Sequence, residues 1–349
     1  METTGTHLKR SCAAWRLVIG IGMVALVASA ADMGTRPVDA APSSTTSSPL
    51  STPHTGVRTV TIRYRAWNGA VRIAAVILPA WYRPGHNPPL PLVISPHGRG
   101  GTGRGNATYW GNLPGVGGFA VVNPDGMGRK IPSYSFALPR QIDDLAKMPS
   151  FVTKALPWVR IDRNRIYALG SSMGGLETLM LVARHPHLLA GAAAMDSVAD
   201  MVLRYKQMPH MPCNARCLKV YGRPYGLVLR DKLVTEVGGT PAAKHRAWVA
   251  RSPRAHAAAI ARSGVPLQIW WSRKDRIVTN QATQSGALYR TLRHLNPKAP
   301  VSEYIGRWRH SHEMRSTQLL PVAVAGFGLI HTKPAALPRS VSYLAAPVA

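Results

Sequence analysis

The stretch Gly170-Ser171-Ser172-Met173-Gly174 sets a serine between two glycines in the pattern G-x-S-x-G. A hydroxyl on a tight turn between a strand and a helix stands clear of its own backbone, where it can attack a carbonyl carbon. Glycines flank such a turn because side chains there collide with the neighbouring strand and helix. Taken alone, the five residues also fit a small-residue packing turn. A serine hydroxyl is a weak nucleophile until a base removes its proton, so the pattern gains meaning only with an imidazole and a carboxylate to orient it. The chain has only 15 Asp and Glu, which shortens the search for the acid. Asp275, in WWSRKDRIV, follows an apolar run and sits where a loop can aim it at a histidine; Asp196 and Glu303 are weaker candidates. For the base, GRWRHSHEM offers His310 and His312, with His310 preferred, whereas His294 falls in a helical pattern and His331 lies beyond the last one. The chain order Ser172, Asp275, His310 is one that such a nucleophile turn uses.

An attacked carbonyl also needs donors for its developing oxyanion. The N–H of Met173, at the start of the following helix, is one. PHGRGG supplies the other, assigned to the N–H of Arg99. The same segment contains G-x-G-x-x-G at Gly98, Gly100 and Gly103, but a dinucleotide site wants an acid at the end of the next strand, and Asp125 comes late and in a turn. No cofactor is expected. His310 and His312 could also ligate a metal, but spacing supplies no third ligand, so no metal is expected either.

These residues need a scaffold. RTVTIRYRAW and VRIAAVILP alternate about Asn68-Gly69 and predict a β-hairpin. Apolar runs at Leu92–Pro96, Phe119–Gly126, RIYALG, Leu189–Ser197, Pro266–Ser272 and VSEYIG predict strands. Between them, helical patterns fall at Gln141–Val159, after the serine turn, at Gln281–Leu295 and at Thr317–Leu329. Leu176, Leu179, Met180 and Ala183 recur at helical spacing and face the sheet. Strands alternating with helices predict an α/β fold: a mostly parallel central sheet, helices on both faces, and an antiparallel N-terminal edge. Residues 201–250 look irregular and are expected to form a lid or insertion that shapes selectivity. Trp81, Trp110, Trp270 and Trp271 offer either aromatic surface for an acyl or aryl group or ordinary core.

The N-terminus carries Lys9, Arg10 and Arg16 before an uncharged apolar run from Leu17 to Ala31, followed by small residues. This is the pattern of a signal peptide over residues 1–30, cleaved near Ala30 or near Ala40, with an uncleaved anchor as the alternative. Residues 31–56 are a Ser/Thr/Pro-rich leader, 57–331 the catalytic domain and 332–349 a tail. Secretion is therefore expected, with no transmembrane helix after cleavage. The formal net charge is +28. It favours non-specific contact with polyanions. Arg and Lys are spread along the chain without a dense block, and no dedicated nucleic-acid signature is present. Cys213 and Cys217 lie in CNARC, compatible with a local disulfide or with two thiols.

Together HGRGG, NPDG, IDRNRIYALGSSMGG, PLQIWWSRKDRIV and GRWRHSHEM resemble the secreted serine hydrolases of the α/β-hydrolase superfamily, especially prolyl-oligopeptidase-like catalytic domains and polyester or feruloyl esterases. The resemblance spans roughly Arg58 to Leu329. It implies Ser172 as nucleophile, Asp275 as acid, His310 as base, and Arg99 and Met173 at the oxyanion hole. The leader is too short for the propeller that gates true prolyl oligopeptidases, so the expected substrate is a small or polymeric ester. A serine peptidase is the alternative, and a non-catalytic basic binding protein of the same fold the third.

Overall fold

The structure is a computed structural model that describes residues 55–85, 87–126, 135–331 and 336–347. The expected signal peptide, nearly all of the leader and part of the tail lie outside the described residues. β1 (Val57–Arg65) and β2 (Val71–Pro79) form the hairpin read from the alternation, and Gly69 takes φ +79° at its turn. The other strands are β3 (Leu90–Ile94), β4 (Ala120–Pro124), β5 (Ile161–Ser171), β6 (Gly191–Met195), β7 (Leu267–Ser272), β8 (Val301–Gly306) and β9 (Ser342–Leu344). They make one sheet in the order β1-β2-β4-β3-β5-β6-β7-β8-β9. Pairing is parallel from β4 through β8 and antiparallel at both edges. The fold is thus the mostly parallel α/β sheet expected, with β9 as an addition inside the predicted tail.

The side-chain period of two divides each buried strand between two cores. Leu92 and Ile94 join one cluster while Val93 joins the other, and Ala168 and Leu169 separate likewise. Strands covered on both faces can be apolar throughout, which is why β3 reads as a continuous run.

Short helices α1 (Gly103–Ala107) and α2 (Leu113–Gly117) precede β4, and α3 (Pro139–Ala146) and α4 (Met148–Ala155) precede β5. After β5 comes α5 (Met173–Arg184), whose Leu176, Leu179 and Met180 belong to the first core. Residues 201–250 are largely helical, which corrects the irregular reading: α6 (Met201–Gln207), α7 (Ala215–Tyr221), α8 (Tyr225–Val237) and α9 (His245–Val249) occupy them. Cys213 and Cys217 are joined in a disulfide just before and within α7. α10 (Ala257–Arg262) leads into β7, and α11 (Ser285–Leu295) follows it. α12 (Leu319–Ala325) packs Leu319, Leu320, Ala323 and Val324 into the second core, on the face opposite α5. Among the described residues no helix is long and apolar enough to cross a membrane.

Trp110, Trp270 and Trp271 are buried, and their ring N–H groups donate to Ser95, Gln268 and Glu303. They serve the core, so of the four tryptophans only Trp81 keeps partial exposure. Glu303, on β8, accepts from Trp271 of β7 and has no place in a triad.

Candidate active site

Parallel strands end on one side of a sheet, and the loops there converge. Ser172 sits between β5 and α5 with φ 60° and ψ −121°, a conformation an L-residue holds only under constraint. The constraint is local. A side chain at Gly174 would fall on the Pro96 carbonyl oxygen, and one at Gly170 would lie 2.6 Å from the Gly174 oxygen. A Cβ at Gly175 would lie 2.9 Å from the Met195 oxygen. The glycines therefore let β3, β5, β6 and α5 close around the serine. Ser172 N–H donates to Met195 at 2.9 Å, which fixes the turn to β6.

His310 lies in the loop after β8. Its Nδ1 is 2.8 Å from Asp275 Oδ2, in the loop after β7. Asp275 is oriented by four groups: Oδ1 accepts from the N–H groups of Ile277 and Val278, and Oδ2 from Gln281 Nε2 and His310. Its side chain has no exposed surface. Nδ1 is thus the protonated ring nitrogen, and Nε2 is left free to accept a proton. Nε2 is buried and has no hydrogen-bond partner among the described residues. Ser172 Oγ and Nε2 share no hydrogen bond, but their chain neighbours do: Ser171 Oγ donates to Ser311 Oγ at 2.8 Å. In an unliganded site the nucleophile–base bond is often long and tightens when substrate arrives. His312 is exposed, and among the described residues it is His310 whose ring pairs with Asp275.

Gly98 lies against the serine, since a Cβ there would sit 3.8 Å from Ser172 Cβ. The following Arg99 N–H and the Met173 N–H at the first turn of α5 have no protein acceptor among the described residues. The Gly98 loop is anchored by buried His97, whose ring nitrogens face the Gly98 and Gly126 carbonyls at 2.7 and 3.1 Å; burial lowers its pKa and keeps the ring neutral. Asp125 accepts from Gly103 N–H at 2.5 Å, so the acid of the apparent dinucleotide pattern holds the loop instead. Arg99 stacks over Tyr225 of α8 at 5.4 Å, and the buried Arg204 of α6 feels the charge of both Asp275 and Arg99. Residues 201–250 therefore border the site.

Two carboxyl groups support the histidine loop from below. Asp196, after β6, is buried and takes φ 41°. Its Oδ1 accepts from Ser272 N–H, and its Oδ2 from Ser311 N–H and Trp308 Nε1. It is a brace for the His310 loop. Glu313 is fully buried, and burial, then the nearby Asp196 charge, raise its pKa well above the usual carboxylic range. It is therefore protonated beside Asp196, and its Oε1 accepts from Ser171 Oγ at 3.3 Å. Asp196, Asp275 and His310 have ligand atoms within 4.8 Å of one another. Their oxygens are already engaged by N–H donors, which fits an imidazole-orienting set better than a cation cage. Glu313 escaped sequence reading because burial, not spacing, gives it its role.

The prolyl oligopeptidase family model matches residues 117–219, which include Ser172 and Met173 but stop before Asp275 and His310. The esterase-named protein NocK of Nocardia uniformis subsp. tsuyamanensis is 29% identical over 251 residues, 64% of this chain and 68% of its own length. Pyrococcus horikoshii acylaminoacyl peptidase superposes with TM-score 0.57 at 18% identity, covering 77% of this chain; the chain spans only 41% of that peptidase. S-formylglutathione hydrolase (FrmB) from Staphylococcus aureus superposes with TM-score 0.55 at 15% identity, covering 78% of this chain and 99% of its own. The fold is that of the α/β hydrolases, and the chain is similar in sequence to the prolyl oligopeptidase family over residues 117–219 and to an esterase-named relative.

Proposed function

We propose that the chain is an exported carboxylic ester hydrolase in which Ser172, His310 and Asp275 act as a triad. Ser172 Oγ attacks the ester carbonyl carbon while His310 Nε2 takes its proton, and Asp275 stabilises the imidazolium through the Nδ1–H bond. The N–H groups of Met173 and Arg99 hold the oxyanion. Collapse breaks the bond to the leaving alkoxide, which receives the proton from Nε2; water then attacks the acyl-enzyme by the same route. The observation that carries this reading is the strained Ser172 turn beside the oriented His310–Asp275 pair.

Ester chemistry is favoured by the esterase-named relative and by the near-complete coverage of the S-formylglutathione hydrolase. A peptidase is the second reading, favoured by the match over residues 117–219. The form to assay is the mature chain, whose intact mass should show a start after Ala30 or Ala40. On p-nitrophenyl butyrate, Ser172→Ala should lower kcat/KM by about a thousandfold or more. Faster turnover of prolyl peptides than of any ester would replace the ester reading with the peptidase one, and an unaffected Ser172→Ala variant would remove the triad.

A further inference from the structure

The loops after β7 and β8 enclose a cleft of about 870 Å³ that opens beside His310. Arg273, Lys274, Arg276, Arg307, Arg309 and Arg315 line it, all of them exposed. These cations are far apart in sequence and gathered by topology, because β7 and β8 are parallel neighbours whose ends meet at Ser272 and Gly306. The one carboxylate on the wall, Asp275, is turned inward to His310. None of the six forms an ion pair among the described residues, whereas Arg184, Arg223, Arg251 and Arg254 each have a carboxylate within salt-bridge distance. Like charges crowded into one cleft repel, and a bound anion relieves that repulsion. Arg315 extends the wall: it also borders a smaller cleft with Gly98, Arg99 and Ser171, and stacks over Tyr109 at 4.9 Å.

His310 fixes which part of a substrate meets these cations. The group that receives its proton is the departing alcohol, so the alcohol portion lies on the His310 side. Resting on the proposed hydrolase reading, we propose that the preferred substrates are esters whose alcohol portion carries a carboxylate or phosphate, seated in this cleft.

The test compares 4-acetoxybenzoate with its neutral methyl ester, and with 4-acetoxyphenyl phosphate to separate carboxylate from phosphate, each rate normalised to hydroxide-catalysed hydrolysis. At low salt an anionic substrate should show kcat/KM at least about tenfold above the neutral ester, and the advantage should shrink as salt screens the cleft. The paired variant Arg307→Glu with Arg309→Glu should abolish the preference. Arg163→Glu, exposed near the opposite end of β5, should keep it. Equal rates for charged and neutral esters, or an equal loss in Arg163→Glu, would overturn the proposal while leaving the hydrolase reading intact. Binding of 4-acetoxybenzoate to Ser172→Ala, measured calorimetrically, is independent of turnover. If no ester is cleaved by the unsubstituted protein but this binding persists and depends on Arg307 and Arg309, the hydrolase reading fails and the anion cleft stands.

Discussion

Ser172, Asp196 and Ser311 all hold positive φ, at 60°, 41° and 57°, and hydrogen bonds tie Ser311 to Asp196 and to Ser171, the residue before Ser172. Such conformations cost on the order of 1–3 kcal/mol each and persist where surrounding bonds over-determine them. Here those bonds run from Ser172 N–H to Met195, from Ser311 N–H to Asp196, and from Ser171 to Ser311. Glu313, buried near Asp196 and held protonated, accepts from Ser171 and closes the set. It is a positioning residue, so a neutral isostere should replace it. Glu313→Gln is expected to keep kcat within about threefold, and Glu313→Ala, which removes the acceptor of Ser171 and leaves a void, to lose about tenfold or more. Steady-state kinetics on one ester checks this; a Gln variant as impaired as the Ala variant would assign Glu313 a role that needs its ionisation. At this scale the residues proposed as nucleophile, acid and base stood out as candidates, because G-x-S-x-G narrows the choice and carboxylates are scarce. His310 was preferred to His312 and Asp275 to Glu303 from the sequence; the structure adds that the His310 ring meets Asp275 and that Glu303 accepts from Trp271.

Elements were legible where burial imposes a pattern. Strands β3 through β8 are covered on both faces and so appear as apolar runs bounded by turns. Helices α6 to α9 left no comparable trace: they are mostly short, broken by Pro and Gly, and exposed over much of α7. β9 is a three-residue exposed edge strand, too brief for alternation to register. A tight element-scale constraint at the site is the approach of α5 to the segment after β3, where Gly174 meets the Pro96 carbonyl. Gly174→Ala forces the helix off the sheet. The expected cost is about 1–3 kcal/mol of stability by urea denaturation, with activity down about a hundredfold because the oxyanion donor moves with the helix. Unchanged activity in a destabilised Gly174→Ala protein would mean that the turn tolerates the shift.

For the molecule as a whole, buried carboxyl groups set the response to pH. Glu177, on α5 and fully buried against Ser135, has its pKa raised to about 8 by desolvation. A raised acid pKa means that its contribution to stability is fully present below about pH 4.5 and is lost as pH rises toward 8. Glu177→Gln removes that titration. Its Tm should exceed that of the unsubstituted protein by a few degrees at pH 8, with the gap closing toward pH 5. Thermal denaturation across that range checks it, and a constant gap would assign the effect to packing. The charge was visible in composition, but its gathering into one cleft was not, since the two loops are separated by the whole of α11 and β8.

The proposed activity depends on Ser172 Oγ being activated by His310, and covalent labelling reads that directly. After reaction with a fluorophosphonate, mass spectrometry should place the adduct on Ser172 and not on Ser171. The adduct should form at a similar rate in His312→Ala and be slowed by about a hundredfold or more in His310→Ala. An adduct on a different serine, or one that forms equally fast without His310, would contradict it.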